Sequence, residues 1–345
     1  MHAVDTMSPW TATRINSANY CGMRWFLEYV AHAPKKKFSF FEKGKLLHDM
    51  IDNFWIRLGD KYKTAQEFAN YAQRLWSRVM IMSEKSDTPI NWRYENEKWV
   101  IRDQMKNIGL KLFDKLMTEG KPLFSELSFD VLFEGIRYRG RLDEIRIRDG
   151  MPVIRDYKSG RPFDSVIKLE FDPQPTFYYI GALGLAKTNP QFAEMLGLEK
   201  EIDSFMTPER VFPEKLKFEY TMLEDENLAT HPTSRDDIRY RQLVDMINGI
   251  RSRYVHNSIY PEYGRKCDFC DVKQACMSRN SHTSVIEENG QLLLSVESPR
   301  PEPEGNGFFG VRNSNIPGIG INNPILEEQT KMRLRASPKK KFLHN

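Results

Sequence analysis

Hydrophobic residues recur at helical spacing through roughly the first third of the chain. Between Asn16 and Ala31 the apolar side chains repeat with a period near 3.6, and Ser17 is a candidate N-terminal cap. The same pattern predicts three further helices, over residues 39–58, 64–83 and 95–118. Residues 1–15 lack a clear pattern, so we predict an irregular lead-in followed by a helical block.

The period of the pattern then changes to two, which indicates strands. Residues 124–133 alternate between apolar and polar, and residues 136–148 are predicted as the partner strand. Asp149-Gly150 is a strong hairpin signal that leads into a third strand over residues 152–158. Farther along, the pattern predicts a helix after Asp172, strands near residues 203–212 and 215–223, and a helix over residues 234–254.

This order of elements indicates one α/β domain with a mixed central sheet. We assign it to residues 16–277, with a helical part over 16–120, a catalytic α/β core over 121–256 and a cysteine segment over 257–277. Beyond this domain the chain is rich in Pro, Gly, Asn and Glu and ends in a basic stretch. We therefore predict that residues 278–345 form a largely disordered tail.

Composition narrows the functional classes only slightly. The 345 residues carry 51 basic and 47 acidic side chains, and the net charge of +4 is compatible with nucleic-acid binding without being evidence for it. No run of about 18 apolar residues occurs, so no membrane-spanning helix and no membrane partner are expected. The N-terminal residues lack an apolar h-region, so no secretory signal is expected and a cytoplasmic location is predicted.

Acidic side chains and one lysine fall on the predicted strands. Glu126 lies on the first strand, Asp143 on the second, and both Asp156 and Lys158 on the third. Because strand side chains alternate between faces, Asp156 and Lys158 point the same way, and Asp143 can face them from the adjacent strand. Carboxylates suit Mg²⁺ or Mn²⁺, and a nearby lysine can orient an attacking water or stabilise a phosphoryl transition state. The pattern therefore favours metal-assisted hydrolysis.

The same residues also fit an interpretation as solvated strand positions, because D-x-K often occurs by chance. The wider context favours function. Asp143 in GRLDEI and residues 156–160 (DYKSG) resemble the PD-(D/E)XK nuclease superfamily, specifically its RecB-like branch. That branch also has G-x-x-x-H on an N-terminal helix, here ending at His48, and Q-x-x-x-Y after the lysine strand, here beginning at Gln174. The resemblance covers about residues 16–277 and implies a restriction-endonuclease-like mixed sheet flanked by helices.

The resemblance implies a role for each matching residue. The catalytic set would be Glu126, Asp143, Asp156 and Lys158, with Lys158 as the catalytic lysine. The ligands of Mg²⁺ or Mn²⁺ would be His48, Asp143, Asp156 and the carbonyl of Tyr157.

Contacts with DNA are expected beside this set. The resemblance places Gln174 and Tyr178 near the DNA strand. Arg161 directly follows the catalytic strand and is the basic residue that we expect to contact a phosphate. Without the resemblance, His48 would be interpreted as an ordinary helix histidine, and Gln174 and Tyr178 as residues of helix packing.

Three of the four cysteines lie close together in the sequence. Cys267-x₂-Cys270-x₅-Cys276 ends the predicted domain, whereas Cys21 lies on the first helix. Four buried thiols or a zinc site are alternative interpretations, although zinc sites more often show paired C-x₂-C knuckles or histidines. The pattern resembles the iron–sulfur staple of the AddB-type and CRISPR-adaptation nucleases of the RecB-like branch. It implies a structural [4Fe–4S] cluster that cross-links distant parts of the chain.

The leading hypothesis is a metal-dependent deoxyribonuclease, an exonuclease acting on DNA that is single-stranded or has a free end. Its setting would be recombination, replication or repair in a bacterium or a phage-infected cell. No G-x-x-x-x-G-K-[ST] sequence occurs, so a helicase motor would be a separate partner protein. Alternatives are a CRISPR spacer-processing nuclease of the same branch, a nuclease-fold subunit that binds DNA without cutting it, and an iron–sulfur redox protein. The last two would not need the carboxylate–lysine set.

Overall fold

The computed structural model describes residues 9–160, 166–205, 212–256, 258–278, 283–288 and 291–296. These residues form two compact units. The first unit consists of the described residues of 9–13 and 37–245. The second consists of Arg14–Lys36 together with the described residues of 246–296. The second unit is thus assembled from two segments that are far apart in the sequence.

Mostly helical segments precede the central sheet. They are α1 (Ala12–Tyr20), α2 (Gly22–Tyr29), β1 (Lys37–Phe38), α3 (Ser39–Asp52), α4 (Phe54–Arg57), α5 (Ala65–Glu84), β2 (Ile90–Asn91) and α6 (Glu97–Glu119). The sheet and its connections comprise β3 (Phe124–Phe133), β4 (Ile136–Arg148), β5 (Met151–Lys158), α7 (Val166–Phe171), α8 (Pro173–Thr188), α9 (Pro190–Leu196), α10 (Glu201–Phe205), β6 (Lys217–Met222) and β7 (Thr230–Thr233). The remaining elements are α11 (Asp237–Val255), a 3₁₀ turn (Arg265–Phe269), α12 (Lys273–Ser278), β8 (Thr283–Glu288) and β9 (Gln291–Val296).

The first unit contains a five-stranded mixed sheet in the order β3-β4-β5-β6-β7. Strands β3, β4 and β5 are antiparallel neighbours, whereas β6 runs parallel to β5 and β7 antiparallel to β6. A parallel pair needs a long crossover, and the segment with helices α7 to α10 provides it. The predicted α/β class, with a mixed sheet flanked by helices, is confirmed.

Two glycines allow helix α8 to approach the sheet closely. A Cβ on Gly181 of α8 would lie 2.7 Å from the ring of Phe129 on β3, and a Cβ on Gly140 of β4 would lie 2.6 Å from the same ring. The Phe129 ring therefore occupies the space that two absent side chains leave. This packing sets the position of α8, and the first turn of α8 carries Gln174.

Helices α3, α4, α5 and α6 form an apolar layer beside the sheet. Its fully buried members include Phe54, Phe68 and Trp76. Helices α5 and α6 lie in close contact, because a Cβ on Gly109 would be only 2.9 Å from the Cα of Ala69. Tyr157 of β5 belongs to the same cluster, so the strand predicted to carry Asp156 and Lys158 packs against this layer.

The second unit is held by packing and by polar contacts between its two segments. The Trp25 ring of α2 meets the edge of the Tyr254 ring, with the ring centroids 6.2 Å apart. Arg24 donates to the Asp271 carboxylate at 3.0 Å. Within the part of the chain that the structure describes, no helix has the length and apolar character that crossing a membrane requires.

The predictions for the central strands are confirmed. Strands β3 and β4 have the predicted bounds, β5 begins one residue earlier than predicted, and β6 falls within the predicted residues 215–223. The strand predicted near residues 203–212 is wrong where it can be compared, because α10 is a helix and residues 206–211 lie outside the described residues. The pattern also missed β7, whose sequence THPT contains a proline and alternates poorly.

Two predicted helices are each divided in two. Cys21 separates α1 from α2 because its backbone is extended, with φ −168° and ψ 122°. Asn53 separates α3 from α4. Hydrophobic periodicity continues across both breaks, so the pattern alone could not locate them.

Two segments predicted as irregular contain regular structure. Trp10 is fully buried, and its backbone N–H donates to the Arg137 carbonyl at 2.8 Å. The backbone N–H of Arg139 in turn donates to the Trp10 carbonyl at 2.8 Å. Helix α1 then begins at Ala12, so the irregular lead-in is wrong from Trp10 onward. Within the predicted tail, β8 and β9 form an antiparallel hairpin, and the prediction for the tail as a whole stays a prediction. Residues 1–8 and 297–345 lie outside the described residues.

Candidate active site

Three acidic residues lie side by side across three strands, and we refer to Glu126, Asp143 and Asp156 as the carboxylate row. In the β3–β4 register Glu126 lies opposite Asp143, because the residues on either side of them are paired. The β4–β5 ladder stops one pair short, so Asp143 and Asp156 occupy the next opposing positions. Residues that oppose each other in neighbouring strands share a face of the sheet. The register therefore brings the three carboxylates together.

Strands β4 and β5 separate at the carboxylate row. Beyond the last backbone pair, the Oδ2 atom of Asp143 accepts a hydrogen bond from the Tyr157 N–H at 2.9 Å. A side chain thus replaces the backbone carbonyl that would continue the ladder. Strand β5 keeps its pairing with β6 as far as Lys158 and Met222. The carboxylates consequently lie where two neighbouring strands part.

Glu126 has an unusual backbone conformation for a strand residue. Its φ is +51°, in the left-handed region, and the β3–β4 ladder omits it. Such a conformation costs on the order of 1–3 kcal/mol in a non-glycine residue and is found mostly at functional sites. The Glu126 carboxylate forms an ion pair with Arg141. Burial and the nearby charge of Asp143 raise the pKa of Glu126 to about 7.

Helix α3 brings His48 to the carboxylate row. The Nδ1 atom of His48 lies 3.4 Å from Oδ2 of Asp143. One turn earlier, a Cβ on Gly44 would lie 2.8 Å from Oγ of Ser159, so a glycine there lets α3 approach the end of β5. Burial lowers the pKa of His48, but the hydrogen bond and the charge of Asp143 outweigh burial and raise it to about 9.

Lys158 and Gln174 form a hydrogen-bonded set with the row. The Nζ atom of Lys158 lies 2.8 Å from Oδ2 of Asp156 and donates to Oε1 of Gln174 at 2.5 Å. The amide nitrogen of Gln174 donates to Oδ1 of Asp156 and to the hydroxyl of Tyr178, both at 2.7 Å. Each polar atom of the Gln174 amide is therefore engaged, which fixes its orientation.

The charges of Asp156 and Lys158 depend on each other. Burial raises the pKa of Asp156 to about 6, and the Lys158 ammonium opposes that rise. Burial lowers the pKa of Lys158, but the charge and the hydrogen bond of Asp156 outweigh it and leave this pKa above its ordinary value. Lys158 is consequently an ammonium group at neutral pH, held beside a buried carboxylate.

Asp172 and Tyr220 contribute to this site although they belong to no recognised motif. Oδ2 of Asp172 accepts from the Tyr220 hydroxyl at 2.8 Å, and its Oδ1 accepts from the Gln174 N–H at 2.9 Å. The Nζ atom of Lys158 lies 5.0 Å from the centre of the Tyr220 ring. An aspartate directly before a proline-initiated helix is a visible N-cap signal. The place of Tyr220 depends on the β5–β6 register, which has no local signal.

The opposite face of the same strands carries a second charged group. Arg155 is fully buried, and it donates to Glu219 at 2.7 Å and to Glu119 of α6 at 3.1 Å. The Tyr157 hydroxyl donates to Glu144 on this face. The phenol of Tyr157 therefore points away from the carboxylate row, and the role predicted for its carbonyl stays a prediction.

The structure thus brings most of the predicted site residues together. The residues that share one site are His48, Glu126, Asp143, Asp156, Lys158, Gln174 and Tyr178. Arg161, predicted to contact a phosphate, lies outside the described residues.

The donor atoms of the site suit a divalent cation. One ligand atom from each of His48, Glu126 and Asp143 lies within 4.8 Å of the others. An imidazole nitrogen and carboxylate oxygens are donors that Mn²⁺ accepts readily, and Mg²⁺ favours the carboxylates. Asp156, next to Asp143 in the carboxylate row, stands outside this group of three. The residues present therefore fit a bound Mg²⁺ or Mn²⁺.

The four cysteines line one pocket in the second unit. Cys21, Cys267, Cys270 and Cys276 border it together with Tyr20 and Arg24. The Tyr20 hydroxyl donates to the Lys266 carbonyl at 2.7 Å, which joins the two chain segments beside the pocket. Four thiols around one pocket are a donor set that fits either zinc or an iron–sulfur cluster.

Comparison with known proteins identifies one family. The family model of the PD-(D/E)XK nuclease superfamily matches residues 9–277, which is more than half of the chain. The matched segment includes the carboxylate row, Lys158 and all four cysteines. No curated protein matches the chain.

Proposed function

Because this chain belongs to the PD-(D/E)XK nuclease superfamily, whose members are metal-dependent nucleases, we propose that it hydrolyses phosphodiester bonds of DNA at the carboxylate row. The observation that carries the proposal is the register that aligns Glu126, Asp143 and Asp156 on one face. A half-buried lysine lies directly beside them. A cluster of carboxylates is costly without a compensating cation, so the arrangement is best explained by metal binding.

We assign the metal ligands to residues of three elements. Asp143 and Asp156 would bind Mg²⁺ or Mn²⁺ from the sheet, with His48 from α3 and Glu126 from β3 completing the set. When bound, the ion would lower the pKa of a coordinated water and neutralise charge that develops on the phosphoryl oxygen. The Lys158 ammonium, 2.8 Å from Asp156, partly compensates the charge of the carboxylates.

Lys158 supplies a fixed positive charge at the place where hydrolysis develops negative charge. Its ammonium is held by Asp156 and Gln174, so it needs little reorganisation when a phosphate arrives. Three donor hydrogens allow the ammonium to contact a phosphate oxygen or a water while it keeps these partners. Gln174 and Tyr178 lie on the first turns of α8 and would border the DNA strand.

We further propose that the protein is an exonuclease for single-stranded DNA or DNA with a free end. Support comes from the motifs that end at His48 and begin at Gln174, which are typical of RecB-like nucleases and whose residues meet in one site here. A helicase or another recombination protein would supply the strand, and a bacterial or phage-infected cell would be the setting. These finer assignments rest on the sequence resemblance.

We propose a structural [4Fe–4S] cluster as the second cofactor. Four thiolates are the ligand set of such a cluster, and the four cysteines line a single pocket. Bound there, the cluster would cross-link Arg14–Lys36 to the chain beyond Met246 within the second unit.

The nuclease proposal is tested with 5′- and 3′-labelled oligonucleotides in the presence of Mg²⁺, Mn²⁺ or EDTA. We expect metal-dependent cutting that falls by at least about 100-fold in Lys158→Ala, because the positioned charge is lost. The unequal release of the two labels reports the direction of digestion. Lys215→Ala removes an exposed lysine that is paired with Glu201, and it should cut like the wild type.

Two results would contradict the proposal. Equal cutting by Lys158→Ala and the wild type would show that the reaction occurs elsewhere. Binding of the oligonucleotide without cutting, under every metal condition, would instead identify a DNA-binding subunit with a nuclease fold.

A further inference from the structure

The Lys158 ammonium is bordered by three groups, and one of them is unexplained by the motifs. Asp156 and Gln174 are its polar partners. The third is the ring of Tyr220, whose centre lies 5.0 Å from the nitrogen. A cation near an aromatic face is attracted by the electron density of the ring, and the attraction strengthens when water is excluded. Tyr220 is fully buried and the Lys158 side chain is 29 % exposed, so the contact is partly shielded from water.

Asp172 connects both of the uncharged partners of Lys158. One of its carboxylate oxygens accepts from the Tyr220 hydroxyl at 2.8 Å, which fixes the ring that borders the ammonium. Its other oxygen accepts from the Gln174 N–H at 2.9 Å and so caps the helix that carries the Gln174 amide. A single carboxylate therefore sets the positions of two groups that contact the same ammonium.

Asp172 is itself held in place from behind. The Arg235 guanidinium donates to the Asp172 carbonyl and to the Leu169 carbonyl, both at 3.0 Å. Arg235 is 5 % exposed, so these hydrogen bonds lie in the protein interior. These hydrogen bonds hold the backbone at Asp172 in place independently of the two contacts that its side chain makes.

We propose that Asp172 and Tyr220 are positioning residues for the Lys158 ammonium, an inference that rests on the proposed nuclease function. Lysine has a long side chain with four rotatable bonds, and a reaction needs its ammonium in one place. Asp156 and Gln174 hold the nitrogen by polar contacts, and the Tyr220 ring, fixed by Asp172, adds a third neighbour whose centre lies 5.0 Å away.

The test compares Asp172→Ala, Tyr220→Phe and Asp172→Asn in the oligonucleotide assay. We expect kcat to fall about 10- to 100-fold in Asp172→Ala and about 3- to 10-fold in Tyr220→Phe, because misplacement of a reacting group is costly. KM for the oligonucleotide and the Mn²⁺ concentration at half-maximal rate should change less than about twofold in the same variants. Asp172→Asn keeps an oxygen for the cap and a polar partner for Tyr220, so it should restore most of the activity.

Matched variants separate positioning from loss of structure. Thr64→Ala removes the cap of α5, where the Thr64 hydroxyl accepts from Glu67 at 3.2 Å, and should lower stability without changing kcat. Tyr62→Phe removes a buried hydroxyl that donates to Phe54, and serves as the control for Tyr220→Phe.

A second readout needs no catalysis. In competitive acetylation followed by peptide mass spectrometry, Lys158 should react several times faster in Asp172→Ala, relative to Lys215.

The outcomes distinguish this inference from the proposed function. If the wild type cuts but Asp172→Ala and Tyr220→Phe cut equally fast, the positioning role is wrong and the nuclease stands. A loss confined to KM would also overturn it, because the contact would then serve DNA binding. If the wild type does not cut, the proposed function fails, and unchanged acetylation of Lys158 would overturn the positioning separately.

Discussion

At the scale of single residues, sequence neighbours on β5 serve opposite faces of the sheet. Asp156 faces the site, whereas Arg155 faces the interior and contacts Glu119 and Glu219. A buried guanidinium is costly unless its hydrogen-bond donors are engaged, and here several carboxylates engage it. The strand that carries Asp156 is therefore held on its opposite face by the ion pairs of Arg155.

The stabilisation that the Arg155–Glu119 pair contributes depends on pH, because it requires Glu119 to be ionised. Burial raises the pKa of Glu119, but the hydrogen bond and charge of Arg155 outweigh it and lower the pKa to about 2. A depressed folded-state pKa stabilises the protein above the ordinary value near 4.5, and the contribution is lost as pH falls toward 2. We expect Glu119→Gln to cost about 1–2 kcal/mol at pH 7, after allowance for solvent screening.

Urea unfolding of the wild type and Glu119→Gln between pH 7 and pH 3 checks this expectation. The difference between the two should shrink as the pH falls below 4.5. Glu84→Gln is the matched control, because Glu84 is 63 % exposed and its pair with Lys98 should contribute little. A difference that stays constant over the whole pH range would contradict the assigned role of Arg155.

The residues of the site differ in how visible they are in the sequence. Asp156 and Lys158 could be predicted to share a face, since alternation along a strand is a local rule. Tyr220 could not, because it reaches Asp156 only through the parallel β5–β6 pairing, and a long crossover separates these strands. Asp172 lies between the two cases, with a visible cap signal but no sign that its second oxygen reaches Tyr220.

At the scale of elements, the distance between α8 and the sheet is set by absent side chains. The Phe129 ring lies where Cβ atoms on Gly181 and Gly140 would be. Close-packed interiors respond to a single added methyl group when the neighbour is a rigid ring. The approach of α8 in turn determines where Gln174 meets Lys158.

Glycine-to-alanine substitutions at two helix positions should therefore change the free energy of unfolding in opposite directions. Gly181→Ala should destabilise the protein by about 1–3 kcal/mol, because the added methyl group meets the Phe129 ring at 2.7 Å. Gly249→Ala on α11, where no atom lies within 4 Å of the added group, should stabilise it by about 0.5–1 kcal/mol through helix propensity. Urea unfolding measures both.

A second substitution checks the cause. Phe129→Leu in the Gly181→Ala background should recover part of the lost stability, so the two changes should not be additive. Equal effects of the two glycine substitutions would show that α8 does not depend on the close approach.

Hydrophobic periodicity predicts long strands well but does not distinguish helix from strand in short segments. Strands β3 and β4 alternate over many residues, and their bounds follow from the sequence. The segment of α10 is short and carries only two large apolar residues, Ile202 and Phe205, and such segments fit helix and strand equally well. Its assignment as a helix depends on tertiary packing, including the stacking of Phe205 on Phe133 with centroids 5.0 Å apart.

At the scale of the whole molecule, the chain has two compact units and two sites with different donor chemistry. The first unit holds the carboxylate row, with oxygen and imidazole donors. The second holds the cysteine pocket, with sulfur donors. Hard cations prefer oxygen donors and iron–sulfur clusters prefer thiolate, so the two sites would take different cofactors.

Loss of one cysteine should therefore affect the second site first. In Cys270→Ala we expect iron content to fall to background and the unfolding midpoint to drop by more than about 5 °C, because the cross-link between two chain segments is lost. Iron and sulfide analysis, visible absorption and thermal unfolding of anaerobically purified protein provide the measurements. Gln274→Ala is the neighbouring control, with an exposed side chain on the same helix as Cys276.

The cluster assignment would be wrong if Cys270→Ala stayed brown and equally stable. Stoichiometric zinc in the wild type, with no iron, would identify a zinc site instead.

The discontinuity of the second unit has a consequence for synthesis on the ribosome. Tyr20 and Lys266 form one hydrogen bond of this unit, yet 246 residues separate them in the chain. At about 5–20 residues per second, the segment that carries Cys21 waits roughly 12–50 s for its partners to emerge. During that interval Lys37–Asp245 can complete the first unit, while Trp25 and Cys21 still lack the residues that bury them. The nascent chain therefore passes through a stage in which its first helices are exposed to chaperones and proteases.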